Sequence, residues 1–183
     1  RSPTRAALAT DVLVEAGDTI PADGEVIDDT LVYRRTLEKF LVVVNASNDD
    51  KARAWLESVR DGKVKVDNAR PWARTFGYEA VIRNLRDPKA GPDMRVDIAL
   101  QGPRSTDILL ALGADDVNRR NIRALKRTQL CDAKVGTKEN GISEPFDLIV
   151  SRTGYTGEKV AYELFVHPER AAEFWQALMR VGE

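Results

Sequence analysis

The chain has 183 residues, 43% of them hydrophobic, and its charges nearly cancel, with 28 Lys and Arg against 29 Asp and Glu. This composition predicts one folded domain or two small subdomains, and it argues against long disorder and against a strongly basic nucleic-acid-binding domain. The single cysteine, Cys131, excludes an intramolecular disulfide and Cys-rich metal centres, which fits a reducing, cytoplasmic compartment. The single histidine, His167, excludes a His-rich metal site, and no apolar run reaches the length of a membrane span.

The first predicted elements are two strands and a helix. Residues 25–33 and 40–45 fit strands, and the short connection at residues 35–39 predicts an antiparallel hairpin. Ser47 or Asn48 can cap the helix that follows. The helical spacing predicts a buried stripe of Ala52, Trp55, Leu56 and Val59.

The second half of the chain begins after a segment rich in Pro and Gly. Residues 68–93 predict a long surface excursion whose role the sequence does not assign. The later elements are predicted as strand 95–101, a helix after Pro103, a mixed segment 122–130, strands 146–151 and 162–166, and a final helix from Pro168. The order predicts an α+β fold in which helices pack on antiparallel sheets in ferredoxin-like halves, with a subdomain boundary near residue 93.

Two adjacent aspartates, Asp28 and Asp29, form the first candidate site. Successive strand residues point to opposite faces, so only one of the two carboxylates is expected to face a given pocket. Tyr33 follows Asp29 by four residues and is expected on the same face, and Asn45 ends the neighbouring strand within reach. An acid, a phenol and an amide on one face could hydrogen-bond a flat heterocycle. Taken alone, the aspartate pair also fits a polar hairpin edge.

A second candidate lies near the end of the chain, where two glycines bracket Tyr155 in residues 153–158. This pattern predicts a sharp turn that presents the ring, although an ordinary glycine turn with a packed tyrosine fits as well. Glu163 lies between Tyr162 and Leu164 in an otherwise apolar strand. It either faces solvent by alternation or is buried with hydrogen-bonding partners.

Four stretches carry a family resemblance. They read Val-Ile-Asp-Asp-Thr-Leu-Val-Tyr at residues 26–33, Leu-Val-Val-Val-Asn-Ala-Ser-Asn at 41–48, Ala-Leu-Gln-Gly-Pro at 99–103 and Ser-Arg-Thr-Gly-Tyr-Thr-Gly-Glu at 151–158. Together, and in this order, they resemble the glycine cleavage T-protein (aminomethyltransferase) family over residues 24–183. The resemblance implies the folate-binding T-protein fold, with this chain as the central portion of a longer protein whose C-terminal barrel is absent.

The resemblance also implies an activity. Family members take the aminomethyl group carried on the lipoyl arm of H-protein, release ammonia and leave 5,10-methylenetetrahydrofolate. The essential aspartate of the family corresponds to Asp29, and its pterin contacts correspond to Tyr33, Asn45, Tyr155 and Glu163. The basic segment 119–127 could attract the folate glutamate tail or could be a solvated face. The fragment alone need not be active.

Three other functions fit parts of the sequence. A folate-dependent demethylase of the same superfamily would share the folate site and differ at the donor side. A non-catalytic folate-binding or iron–sulfur-maintenance relative is disfavoured, because such relatives carry a cysteine in the motif that here reads Arg-Thr-Gly-Tyr at residues 152–155. An α+β interaction domain with accidental matches is the remaining alternative.

Overall fold

The computed structural model describes residues 4–8, 26–61, 63 and 80–183. Contacts divide the chain into two compact units, one formed by residues 6–83 and the other by residues 1–5 with 84–183. A boundary between the units thus lies between residues 83 and 84. The boundary expected from the sequence was near residue 93. Part of the excursion, residues 68–79, lies outside the described residues. In the described ranges, no helix is long and apolar enough to cross a membrane.

The unit of residues 6–83 contains an antiparallel hairpin followed by a helix. Its described elements are strands β1 (Thr4–Leu8, from Ala6 onward), β2 (Leu31–Arg34) and β3 (Phe40–Val43) and helix α1 (Asp49–Arg60). Strand β2 pairs antiparallel with both β1 and β3. The N–H of Arg35 donates to the carbonyl of Lys39 across 2.8 Å and closes the turn. The predicted hairpin is therefore confirmed.

Both strands of the hairpin are shorter than the sequence predicted. Residues 26–30 have no strand assignment and β2 begins only at Leu31, while β3 ends at Val43. The predicted bounds were wrong because the backbone N–H of Asn45 donates to the side chain of Asp28 instead of to a neighbouring strand. A carboxylate thus replaces the ladder acceptor, so the ladder ends where the polar cluster begins.

The unit containing residues 84–183 has four antiparallel strands with helices packed on them, and Thr4 and Arg5, which belong to the same unit, pair antiparallel with Leu130 and Gln129. In chain order its strands are β4 (Val96–Gln101), β5 (Gln129–Val135), β6 (Phe146–Ser151) and β7 (Ala161–Val166). Their order across the sheet is β4-β7-β6-β5. The helices are α2 (Ser105–Leu112), α3 (Asp116–Ala124) and α4 (Pro168–Gly182).

Alternation along these strands gives the sheet one helix-covered face. That face and the helices share a core of fully buried side chains that includes Leu109, Ile122, Val150, Leu164 and Phe174. In α4, the apolar side chains of Trp175 and Met179 are 54% and 56% exposed and lie outside the buried face of the helix. Antiparallel sheets with packed helices confirm the predicted α+β class.

Candidate functional site

Four polar side chains form a hydrogen-bonded group just before β2 and just after β3, here called the aspartate–asparagine cluster: Asp28, Asp29, Asn45 and Asn48. The Nδ2 of Asn45 donates to Asp28 Oδ1 at 2.7 Å and to Asp29 Oδ1 at 2.8 Å. The backbone N–H of Asn45 donates to Asp28 Oδ2 at 2.9 Å, and Asn48 Nδ2 donates to Asp28 Oδ1 at 2.8 Å. The cluster therefore joins two chain segments through one shared amide.

Asp28 is the buried member of the cluster, with only 7% of its surface exposed. Burial raises the pKa of its carboxyl, but hydrogen bonds from the Asn45 and Asn48 side chains and from backbone N–H groups outweigh this effect and lower the pKa below its ordinary value. Asp28 is consequently charged at neutral pH, and a charged carboxylate only accepts hydrogen bonds.

Asp29 and Asn45 are the exposed members of the cluster, and the structure brings these two predicted site residues together. Tyr33 is fully buried in β2, in register with Leu41 of β3. The expectation of one shared face assumed a continuous strand from Asp29 to Tyr33. The chain adopts strand pairing only from Leu31, so the four-residue spacing does not define a common face.

The segment around Tyr155 is anchored at both sides and presents the tyrosine outward. The Thr156 hydroxyl donates to Gln101 Oε1 of β4. A Cβ on Gly154 would lie 2.3 Å from the Cβ of Ala161, so the backbone approaches β7 more closely than any side chain allows. Tyr155 itself is 77% exposed. Its ring is therefore available to a ligand and contributes little to the core.

Glu163 is buried in β7, with 5% of its surface exposed. The Thr153 hydroxyl donates to Glu163 Oε2, and the hydroxyls of Thr153 and Ser151 are 2.8 Å apart. Of the two alternatives left by the sequence, the structure shows the buried carboxylate with partners. Two hydroxyls in series hold this carboxylate in one orientation.

Asp97 is a titratable neighbour that sequence reasoning missed. It lies on the same face of β4 as Ala99, which is in register with Glu163. Burial of the carboxyl raises its pKa to about 6 and the negative charge of Glu163 adds to the increase, although the residue as a whole is exposed. Asp97 could have been found from strand alternation, because residues 97, 99 and 101 share one face of β4.

Part of the basic segment 119–127 is engaged within its own unit. Arg119 Nε donates to the carbonyl of Leu110 at 3.2 Å, and its Nη1 lies 3.0 Å from Asp116. Arg123, Lys126 and Arg127 are exposed.

The chain is similar in sequence to known proteins over most of its length. Residues 18–183 match the family described as the GCVT N-terminal domain. The chain is 34% identical over 160 residues to the aminomethyltransferase of Halothermothrix orenii, and this alignment covers 87% of the chain and 35% of the relative. It is 35% identical over 161 residues to the aminomethyltransferase of Bacillus pumilus, covering 87% of the chain and 34% of the relative.

A solved structure has the same fold. The crystal structure of glycine cleavage system aminomethyltransferase T from Bartonella henselae matches with a TM-score of 0.53 and 21% identity, covering 87% of this chain and 33% of that one. The chain thus spans about a third of the length of these relatives. The family match extends over both units, the resemblance found in the sequence is confirmed, and the chain belongs to the GCVT N-terminal domain family.

Proposed function

We propose that this chain acts in a tetrahydrofolate-dependent aminomethyltransferase of glycine cleavage. In this reaction the methylene group of aminomethyl-lipoate on H-protein passes to tetrahydrofolate, and ammonia is released. Two relatives that carry the name aminomethyltransferase support the reaction class. The observation that carries the proposal is the exposed carboxylate of Asp29, held at 2.8 Å by the amide of Asn45.

Asp29 has the properties required of the central acid. It is accessible, and its Oδ1 is fixed by a side chain that is itself bonded to the buried Asp28. A fixed carboxylate can orient an amine nucleophile and stabilise positive charge that develops on it. Because the carboxylate is ordered before the ligand arrives, little reorganisation is needed during the reaction.

The hydrogen-bond acceptors of the cluster fit a reduced pterin. Asp29 offers carboxylate oxygens and Asn45 offers its carbonyl oxygen, while both Asn45 amide hydrogens point at the aspartates. The exposed surface therefore presents acceptors, which match the N–H groups of a reduced pterin ring. Tetrahydrofolate, when bound, supplies the N5 amine that accepts the one-carbon unit.

Three further residues are proposed as parts of the pterin site, in line with the family resemblance. Tyr155 offers an exposed aromatic face on which a flat ring can stack. Glu163 is oriented by Thr153 and can accept paired hydrogen bonds from a guanidine-like edge. Tyr33 is proposed to support the pterin from its buried position. We also propose a cytoplasmic enzyme that uses lipoylated H-protein as its donor.

The proposal is tested by turnover in the full-length protein. H-protein loaded with aminomethyl-lipoate is mixed with enzyme and tetrahydrofolate, and the release of ammonia and of 5,10-methylenetetrahydrofolate is followed. Asp29→Asn keeps the shape and removes the charge, so kcat should fall by about 100-fold or more. Asp50→Asn removes an exposed helix acid that pairs only with Arg53 among the described residues, and it should leave kcat unchanged.

Two results would contradict the proposal. Wild-type rates in the Asp29→Asn enzyme would remove Asp29 from the reaction. Methyl transfer from an N-, O- or S-methyl donor, with no ammonia released from loaded H-protein, would contradict the aminomethyltransferase and favour the demethylase.

A further inference from the structure

The direction of the Asn45 side-chain amide determines what the cluster can bind. An amide has a donor end and an acceptor end of nearly identical shape, so its environment must select the orientation. The Nδ2 of Asn45 lies 2.7 Å from Asp28 Oδ1 and 2.8 Å from Asp29 Oδ1. A reversed amide would place its carbonyl oxygen against the two carboxylate oxygens, which would repel it. Both carboxylate oxygens would also lose the hydrogen bond from the Asn45 amide.

Asp28 is the residue that holds this orientation. Its Oδ2 accepts the backbone N–H of Asn45 at 2.9 Å, which fixes the Cα of Asn45, and its Oδ1 accepts the side chain of the same residue. This two-point contact is made by a buried carboxylate. Hydrogen bonds to a charged acceptor in a buried site are stronger than those between neutral groups.

Asn48 provides a second support. It stands at the N-cap position of α1, yet its side chain makes no capping hydrogen bond and donates instead to Asp28 Oδ1 at 2.8 Å. Asparagine at an N-cap normally stabilises its own helix by accepting from the backbone. Here the Asn48 side chain donates to Asp28 instead. This bond restricts the Asp28 carboxylate, which in turn holds Asn45.

We propose, on the basis of the function proposed above, that Asp28 is a positioning residue that acts through Asn45: it turns the amide so that Asp29 receives an N–H and a ligand meets the Asn45 carbonyl. The ligand edge that lies against Asn45 is therefore a hydrogen-bond donor. Asp28 does not contact the ligand, because its two oxygens are occupied by the two asparagines.

Asp28→Asn weakens the hold of residue 28 on the Asn45 amide with a minimal change of shape. An amide at position 28 supplies one neutral acceptor oxygen, where the charged carboxylate supplied two. In one orientation its NH2 group faces the backbone N–H of Asn45, and in the other it faces the side-chain NH2 groups of Asn45 and Asn48. Donors meet in both orientations and the charged acceptor is lost, so the Asn45 side chain is held more weakly. Asn48→Ala is the milder variant, because it removes one donor and keeps both contacts between Asp28 and Asn45.

The first readout needs no activity. In nitrogen-15 NMR spectra of the full-length protein, the Asn45 side-chain NH2 should give two resolved signals, assigned by their loss in Asn45→Asp. We expect these signals to shift or merge in Asp28→Asn and to shift less in Asn48→Ala. Asp50→Asn, which removes an acid of the first turn of α1, should leave them unchanged. Unchanged signals in a folded Asp28→Asn protein would overturn the inference.

The second readout separates the inference from the proposed function. Tetrahydrofolate affinity and kcat/KM should each fall by about tenfold or more in Asp28→Asn, and by less in Asn48→Ala. If the wild type binds no tetrahydrofolate, the proposed function fails while the NMR readout still decides the role of Asp28. If Asp28→Asn does not fold, Asn48→Ala decides: wild-type affinity together with wild-type amide signals would overturn the inference.

Discussion

Replacing Gly154 with alanine should destabilise the unit that contains residues 84–183. An ideal Cβ at Gly154 would lie 2.3 Å from the Cβ of Ala161, whereas carbon atoms in contact prefer about 3.5–4.0 Å. Ala161 cannot move aside easily, because it is buried in β7 and in register with Gln101 of β4. Ala161 is thus held by its pairing with β4, so the loop that carries Tyr155 must move by about 1 Å or more.

Forced overpacking of this kind costs about 1–3 kcal/mol. For a chain of this length, each kcal/mol lowers Tm by about 2–4 °C. The free energy of unfolding is measured by urea denaturation of the wild type, Gly154→Ala, Ala161→Gly and the double variant. Because Ala161→Gly deletes the clashing carbon, the double variant should be more stable than the sum of the single effects by about 1 kcal/mol or more.

Gly157→Ala is the matched control in the same loop. Gly157 has φ +86°, so alanine is strained there, but no atom lies within 4 Å of its ideal Cβ. The variant should lose about 1–2 kcal/mol and should not be rescued by Ala161→Gly. Full stability of Gly154→Ala, or equal coupling of both glycine variants with Ala161→Gly, would refute the close approach as the cause.

Three other perturbations have defined outcomes. Thr153→Val removes the hydroxyl that donates to the buried Glu163, and urea denaturation should show a loss of about 1–3 kcal/mol; no loss would mean that Glu163 finds another donor. An acid with a folded-state pKa raised from 3.8 to about 6 stabilises the fold while protonated, and this stabilisation is lost as pH rises from about 4 through 6. Asp97→Asn should therefore have a higher Tm than the wild type at pH 7 and an equal Tm near pH 4, and a difference that does not vary with pH would contradict this. Tyr155→Ala should leave Tm unchanged because the ring is 77% exposed, while weakening tetrahydrofolate binding; a large fall in Tm would show a structural role.

Regular elements with a clear local pattern could be predicted from the sequence. Strand β6 has the predicted bounds, Phe146–Ser151, because each of its residues pairs with β5 and its apolar residues have no competing polar partner. The sequence predicted a mixed segment at residues 122–130 and no helix immediately before it, although α3 begins at Asp116. The signal was present, since Asp115 accepts from the N–H of Asn118 at 2.8 Å as an N-cap does.

The aspartate–asparagine cluster shows why the rest could not be predicted. Local rules make Asn48 a helix cap and place Asp28 within a strand. In the structure these two side chains bond to each other across 20 positions of the chain, and β2 begins only at Leu31. Contacts between side chains far apart in sequence leave no periodic signal, so the sequence offered Asp28 as a candidate acid and Asn48 as a helix cap but did not predict that they bond to each other.

A calorimetric titration measures directly whether Asp29 and Tyr155 bind tetrahydrofolate. It is performed on the folded full-length protein and on the Asp29→Ala, Tyr155→Ala and Asp50→Asn variants. We predict that the wild type and Asp50→Asn bind equally well and that Asp29→Ala and Tyr155→Ala bind more weakly. Equal affinity in all four proteins, or no binding by the folded wild type, would contradict this prediction.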